Sequence, residues 1–270
     1  MSAIEILAIA SQSTASDNSK SRLVNAHHRQ PSRYYLGEFT QPPALSTVPD
    51  AEYQRLIPHL EHVSLPFQKV LYEVGEPIEY VYFPLRAIVS ALSTMEDGSM
   101  VEVALVGNDG IVGIPAALGD NIATTTTTVQ VPDSAMRMKA SVLKSEFGRG
   151  GVLQSLLLRY IQALFALTSQ NAACNRLHHL EERLARWLLL VYDRVEANEL
   201  PLTQEFISQM LGVRRAGVTV AANTLEQAGL IRYTRGKITI LNREELEAAS
   251  CECYEFINGE YARLLGTQHS

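Results

Sequence analysis

The stretch that begins at residue 200, LPLTQEFISQMLGVRRAGVTVAANTLEQAGLIRYTRGKITILNREELE, constrains this chain more than any other. Thr203 can offer its hydroxyl to free backbone amides, the part played by a helix N-cap. Phe206, Ile207, Met210 and Leu211 recur at three- and four-residue spacing, the apolar face of a short first helix. Gly212 stands where a tight turn needs a positive φ, and Val213 follows as the plug of that turn. The pattern predicts a second helix over about 214–227, with Val218, Ala221, Ala222 and Leu225 facing inward and Gly229 as its stop. Two short helices joined through a glycine turn form a helix-turn-helix, whose second helix can lie in a DNA major groove. Residues 230–233 and 237–241 then flank a Thr-Arg-Gly turn and read as a hairpin carrying Arg235 and Lys237, a wing poised over a phosphate backbone.

The formal net charge of −6 argues, on its face, against nucleic acid. Its distribution argues the other way. Between residues 213 and 243 six cations (Arg214, Arg215, Arg232, Arg235, Lys237 and Arg243) face one carboxylate, Glu226, whereas beyond residue 243 six glutamates face Arg263. A local basic patch can bind phosphate on an acidic molecule.

Upstream, residues 1–48 read as a disordered tail: SQSTASDNSKS is polar and aperiodic, and QPPALSTVP adds turn signals. Residues 51–60 suit a short helix. A β-rich region follows to about residue 140, with Asp97-Gly98 as a hairpin turn and short strands about ten residues apart, the spacing of a barrel or roll. From residue 141 the period becomes helical. A long helix is expected from Val152 to about Asn175, with Leu153, Leu157, Tyr160, Leu164, Leu167, Asn171 and Cys174 spaced as a two-helix seam for a homodimer, in which the polar Asn171 can fix register. The alternative is one helix packed on its own domain, with Asn171 at its wet end. A further amphipathic helix carries Leu180, Leu184, Trp187, Leu188 and Val191 on one face. The expected organisation is a tail (1–48), a β-roll sensor (49–150), a long dimerisation helix (151–182), a winged helix-turn-helix (183–250), and a C-terminal tail or short helix (251–270).

The longest apolar runs, such as WLLLVY, fall well short of the roughly 18 residues of a membrane span. The N-terminus lacks the positive start of a secretory signal, which favours a cytoplasmic protein with no membrane role. The three cysteines, Cys174, Cys251 and Cys253, are odd in number, and Cys251-x-Cys253 is tighter than the usual zinc or redox pairs. They read as reduced thiols, and no residue is assigned to a metal. No phosphate loop, nucleophile elbow or metal-spaced His/Glu set occurs, so the chain does not read as an enzyme.

A β-roll, a long helix and a winged helix-turn-helix in this order, with the strings LTQEFISQMLGV and TLEQAGLIRYTRGKITI, resemble the Crp/Fnr family of bacterial transcription regulators over about residues 50–250. The resemblance implies an α+β homodimer: an effector-sensing, cyclic-nucleotide-binding-like jelly roll, a long dimer helix, and winged heads on a near-palindromic site. It also implies RNA polymerase as a further partner. Arg215 falls where family members place a base-reading arginine, and a guanidinium suits guanine O6 and N7. Ala216 and Val220 stand where the family often has an acidic residue and a second arginine, and Arg214 replaces its usual Ser or Thr. The candidate DNA-binding set is Thr203, Gln204, Arg214, Arg215, Gly217, Thr219, Asn223, Arg235 and Lys237. The alternative is a ligand-sensing or protein-interaction module that has lost sequence-specific DNA binding.

The family's cyclic-nucleotide pocket pairs Gly-Glu with a later Arg-Ser or Arg-Thr. Here Gly113 precedes Ile114 and Pro115, and no arginine occurs between Arg86 and Arg137, which argues against cyclic AMP. No cysteine precedes Cys174, against the N-terminal cluster of the iron–sulfur members. His59, His62, His178 and His179 read as surface residues rather than haem ligands, and no cofactor is expected.

Overall fold

The computed structural model describes residues 41–195, 197 and 199–266. In chain order its elements are α1 (Asp50–Leu56), β1 (Glu61–Leu65), β2 (Val70–Tyr72), β3 (Tyr80–Pro84), β4 (Ile88–Thr94), β5 (Met100–Val106), α2 (Pro115–Leu118), β6 (Thr126–Val131), β7 (Asp133–Lys139) and α3 (Ala140–Gly148). There follow α4 (Gly151–Leu177), α5 (Leu180–Val195), β8 (Glu199–Leu200), α6 (Gln204–Leu211), α7 (Arg215–Gln227), β9 (Ile231–Thr234), β10 (Lys237–Ile240), α8 (Arg243–Ala248) and α9 (Cys253–Leu265).

The β-rich half makes two antiparallel sheets, β2-β6-β4-β5 and β1-β7-β3, which enclose Leu65, Phe83, Val89, Val129, Ala135 and Met138. The expected Asp97-Gly98 turn joins β4 to β5. Gly98 takes φ 81°, and Asp97 Oδ1 accepts the Ser99 backbone N–H at 2.9 Å. The packed structure starts earlier than residue 49. Pro43–Leu45 form a 3-10 turn, and Leu45 and Val48 are buried, so their apolar side chains end the tail sooner than its composition suggested. Residues 1–40 of that expected tail lie outside the described residues.

Helix α4 starts on a side-chain cap supplied from α1. Glu52 accepts the backbone N–H of Val152 at 3.0 Å and of Leu153 at 2.8 Å, and these bonds hold its carboxyl below the usual range. A carboxylate also suits the positive end of the helix dipole. Gly151 is required there. Its φ is 87°, and a Cβ would stand 2.7 Å from Glu52 Oε1.

The stripe expected to be the dimer seam is used within the chain. Leu153, Leu157, Tyr160, Leu167, Asn171 and Cys174 are buried and Leu164 is partly buried, packed on the roll, α5 and α9. Asn171 is no lone register-setting polar group: its Oδ1 accepts from Arg186 at 2.6 Å, and its Nδ2 donates to the Val103 carbonyl at 3.1 Å. The spacing rightly marked a packed face but could not say against what. By length and composition α4 could cross a membrane, yet this same face lies in the core.

His178, extended at φ −101° and ψ 151°, breaks the helix before α5. Beyond the winged motif, α9 folds back on α4, a 13-residue helix where a tail or short helix was expected. Buried Tyr254, Ile257, Tyr261 and Leu264 supply its inner face.

Candidate nucleic-acid interface

Thr203 caps α6 as expected, its hydroxyl accepting the Phe206 N–H at 3.1 Å. Gly212 ends α6 in the left-handed conformation at φ 62°, and Arg183 Nη2 donates to the neighbouring Leu211 carbonyl at 2.6 Å. A cation on the last carbonyls of a helix matches its dipole, so Arg183 fixes the turn between the two helices from below. Val218, Ala221, Ala222 and Leu225 bury the inner face of α7 against the core that holds Phe206, Ile207, Met210 and Leu211. Burial of a side chain of the size of Leu or Phe is worth roughly 1.5–3 kcal/mol, so this shared core sets the angle of α7.

The wing follows. β9 and β10 pair antiparallel with Thr234 opposite Lys237. Arg235 at φ 52° and Gly236 at φ 77° make the two-residue turn with both φ values positive, which suits the right-handed twist of a hairpin. Tyr233 ties wing to helices: its hydroxyl accepts the Gln204 N–H at 3.0 Å, and its own N–H donates to Glu226 Oε1 at 3.0 Å.

Besides Thr203, the predicted site residues fall into four groups. Arg214, Arg215, Asn223 and Arg235 are exposed, and the three arginines form no ion pair among the described residues. Arg214 is the N-cap position of α7 and Arg215 its first residue, where free N–H groups and the helix dipole add positive potential. Gln204 and Thr219 engage each other, the Thr219 hydroxyl donating to Gln204 Oε1 at 2.9 Å. Lys237 is exposed and bound to Glu199 at 2.5 Å. Gly217 is half-buried: a Cβ there would meet Leu180 Cδ2 at 3.0 Å, so it permits close packing of α7 on the start of α5.

Two residues outside that set share the exposed side of α7. Ala216 is exposed, and Val220 is 62% exposed although apolar. Exposure of a β-branched apolar residue between Ala216 and Asn223 was legible only once the inward positions were fixed.

Between the roll and α4 a cavity of about 240 Å³ is lined by Tyr72, Val103, Ile114, Thr125, Thr127 and Leu164 among others, and among the described residues its lining includes no cationic side chain. The fold also gathers the three cysteines, read from sequence as thiols without a metal, around His178.

A family model described as the Crp-like helix-turn-helix domain matches residues 182–249. No curated protein sequence matches the chain. Solved structures do. FixK2 from Bradyrhizobium japonicum is 20% identical over 71% of this chain and 98% of its own, with a TM-score of 0.62. The c-di-GMP responsive global regulator CLP from Xanthomonas campestris is 13% identical, over 72% of this chain and 100% of its own, at 0.59. A Crp/Fnr-family transcriptional regulator from Thermus thermophilus is 22% identical, over 70% and 98%, at 0.58. The chain carries a Crp-like helix-turn-helix domain at residues 182–249, within the α+β fold of the Crp/Fnr transcription regulators.

Proposed function

We propose that this chain is a sequence-specific DNA-binding transcription regulator, that it works in the cytoplasm as a homodimer, and that α7 enters the major groove. The observation that carries the reading is the state of its cations. Arg214 and Arg215 at the N-terminus of α7 and Arg235 at the wing tip are exposed and without ion pairs among the described residues. Arg215 is the base reader, bidentate to guanine, and Arg214, Arg235 and Lys237 hold phosphates. Thr203, Gln204 and Thr219 position this set, and Asn223 lies further along the same helix. Ala216 and Val220 present methyl groups in place of charge, chemistry that fits the thymine 5-methyl. Selection from random duplexes tests the reading: it should enrich a two-fold site.

Dimerisation uses a different side of α4 from the one its spacing first suggested. Leu158, Phe165 and Ala172 recur every seven residues and are exposed, with Phe165 at 73%. A seven-residue apolar repeat is the seam of paired helices. Phe165→Glu should give monomers in sedimentation. RNA polymerase is the further partner that the resemblance adds. The cavity between the roll and α4, with no cation among its described lining residues to balance a cyclic phosphate, supports an effector other than cyclic AMP. The second reading, a sensor without DNA specificity, is favoured by the missing charges at Ala216 and Val220, and a selection that enriches no motif would establish it.

A further inference from the structure

We propose that Cys174, His178, Cys251 and Cys253 bind one zinc ion in tetrahedral coordination, pinning the C-terminal segment to the joint between α4 and α5. Cys174 comes from the last turn of α4, His178 is the extended residue after it, Cys251 lies in the α8–α9 connection, and Cys253 opens α9. Their ligand atoms, three sulfurs and one imidazole nitrogen, all lie within 4.8 Å of one another. Cys174 Sγ is 3.6 Å from Cys251 Sγ, and Cys253 Sγ is 3.4 Å from His178 Nδ1. Zinc–sulfur bonds of about 2.3 Å and zinc–nitrogen bonds of about 2.0–2.1 Å place tetrahedral ligand atoms about 3.6–3.8 Å apart. The cluster is therefore close to coordination distance already.

The surroundings carry the features of a metal site. The Nε2 of His178 lies 3.2 Å from Glu252. A carboxylate accepting that N–H leaves the Nδ1 lone pair aimed at the sulfurs, the arrangement by which carboxylates orient metal-bound histidines. Gln170 Nε2 donates to Cys253 Sγ at 3.1 Å, as amides do to metal-bound thiolates. Three thiolates and a dication leave one negative charge, and Arg183 and Arg186 lie within electrostatic reach of Cys174, each with a buried Nε that has no hydrogen-bond partner among the described residues.

The donor set decides which ion. Soft thiolates with one imidazole select zinc over the hard cations magnesium and calcium. Four protein ligands close the coordination sphere, the mark of a structural rather than a catalytic site. Donors gathered about a single point suit one ion and not a two-iron cluster, whose ligands divide between two metals. The consequence is mechanical: His178 is both a ligand and the break between α4 and α5, so the ion fixes the angle at which the helix-turn-helix leaves α4. This does not depend on DNA binding.

The test uses the full chain under reducing conditions, stripped with a chelator and titrated with Zn2+ against a chromophoric competitor, then separately with Co2+. The expected result is one ion per chain, with thiolate-to-cobalt charge transfer and the intense ligand-field bands of tetrahedral cobalt. Cys253→Ser should weaken Zn2+ binding by more than the roughly 10–100-fold that even outer-shell changes cost. Glu252→Gln, at an exposed position that leaves the fold intact, should weaken it about 10-fold. If Cys253→Ser fails to fold, the wild-type cobalt spectrum and Glu252→Gln still decide. Sub-stoichiometric binding with all thiols free, a Cys174–Cys251 disulfide in the mass spectrum, an octahedral cobalt spectrum, or an iron–sulfide chromophore would each overturn the proposal.

Discussion

Helix α5 buries its arginines, whereas α7 and the wing expose theirs. Arg183, Arg186 and Arg194 lie inside, bound to the Leu211 carbonyl, to Asn171 and to Asp109 respectively. Arg214, Arg215 and Arg235 lie outside with no ion pair among the described residues. A buried guanidinium must be matched by fixed partners, because desolvation of a charge costs several kcal/mol. An exposed one keeps its water and can exchange it for phosphate or a base edge. One residue type thus builds the frame in α5 and offers the contact at α7 and the wing.

The largest effect should come from breaking the inner set. Arg194 and Asp109 are 1% and 2% exposed at their side chains, with Nη2 to Oδ2 at 2.8 Å, and the pair ties α5 to the roll. Arg194→Met should destabilise the chain by about 3–5 kcal/mol in urea denaturation, because it removes one partner of a buried ion pair. Removing both charges should cost much less than removing Arg194 alone, and equal losses would refute the pairing. The outer set should behave oppositely. Arg215→Ala should leave stability within about 0.5 kcal/mol, yet lose about 1–3 kcal/mol of discrimination at one base pair.

A third effect sits beside the inner set, close to Arg186 and Arg194. Glu102 on β5 is buried and accepts the Trp187 indole N–H at 2.9 Å, linking the roll to α5. Desolvation pushes its carboxyl up to about 7, against hydrogen bonds from Ser90 and Trp187 that favour the charged form. Between about 4.5 and 7 the folded chain therefore holds more protons than the unfolded one, and this group's contribution to stability falls as pH rises through that window. Glu102→Gln should flatten that slope and be more stable than wild type above pH 7, as followed by urea midpoints. An unchanged slope would show that Glu102 is already ionised. The smallest effect belongs to the wing: Arg235→Ala should weaken DNA binding evenly across sequences and reduce the salt slope by about 1.

Much of the outer set was legible in sequence. Gly212, Thr203 and the inward positions of α7 follow from local chemistry, since a cap, a positive φ and a 3.6-residue period are read within one turn. The inner set was not. Arg183, Arg186 and Arg194 look like the polar face of an amphipathic helix, and only the roll, Asn171 and Asp109, 15 to 85 residues away in the chain, turn that face into an interior. The stripe on α4 stayed ambiguous for the same reason: its spacing describes a packed face without naming the neighbour. The meeting of the three thiols was the least legible feature, because Cys174 and Cys251 are 77 residues apart and only the return of α9 onto α4 joins them.

The most direct measurement is the affinity of the full chain for its selected duplex and for a scrambled one, each over a range of salt concentrations. If the exposed arginines hold DNA, log K falls linearly with log salt, at about 0.9 per phosphate neutralised, and the selected duplex binds about a thousandfold or more tighter than the scrambled one. Equal affinity for the two duplexes, or binding indifferent to salt, would contradict the assignment of α7 as a recognition helix.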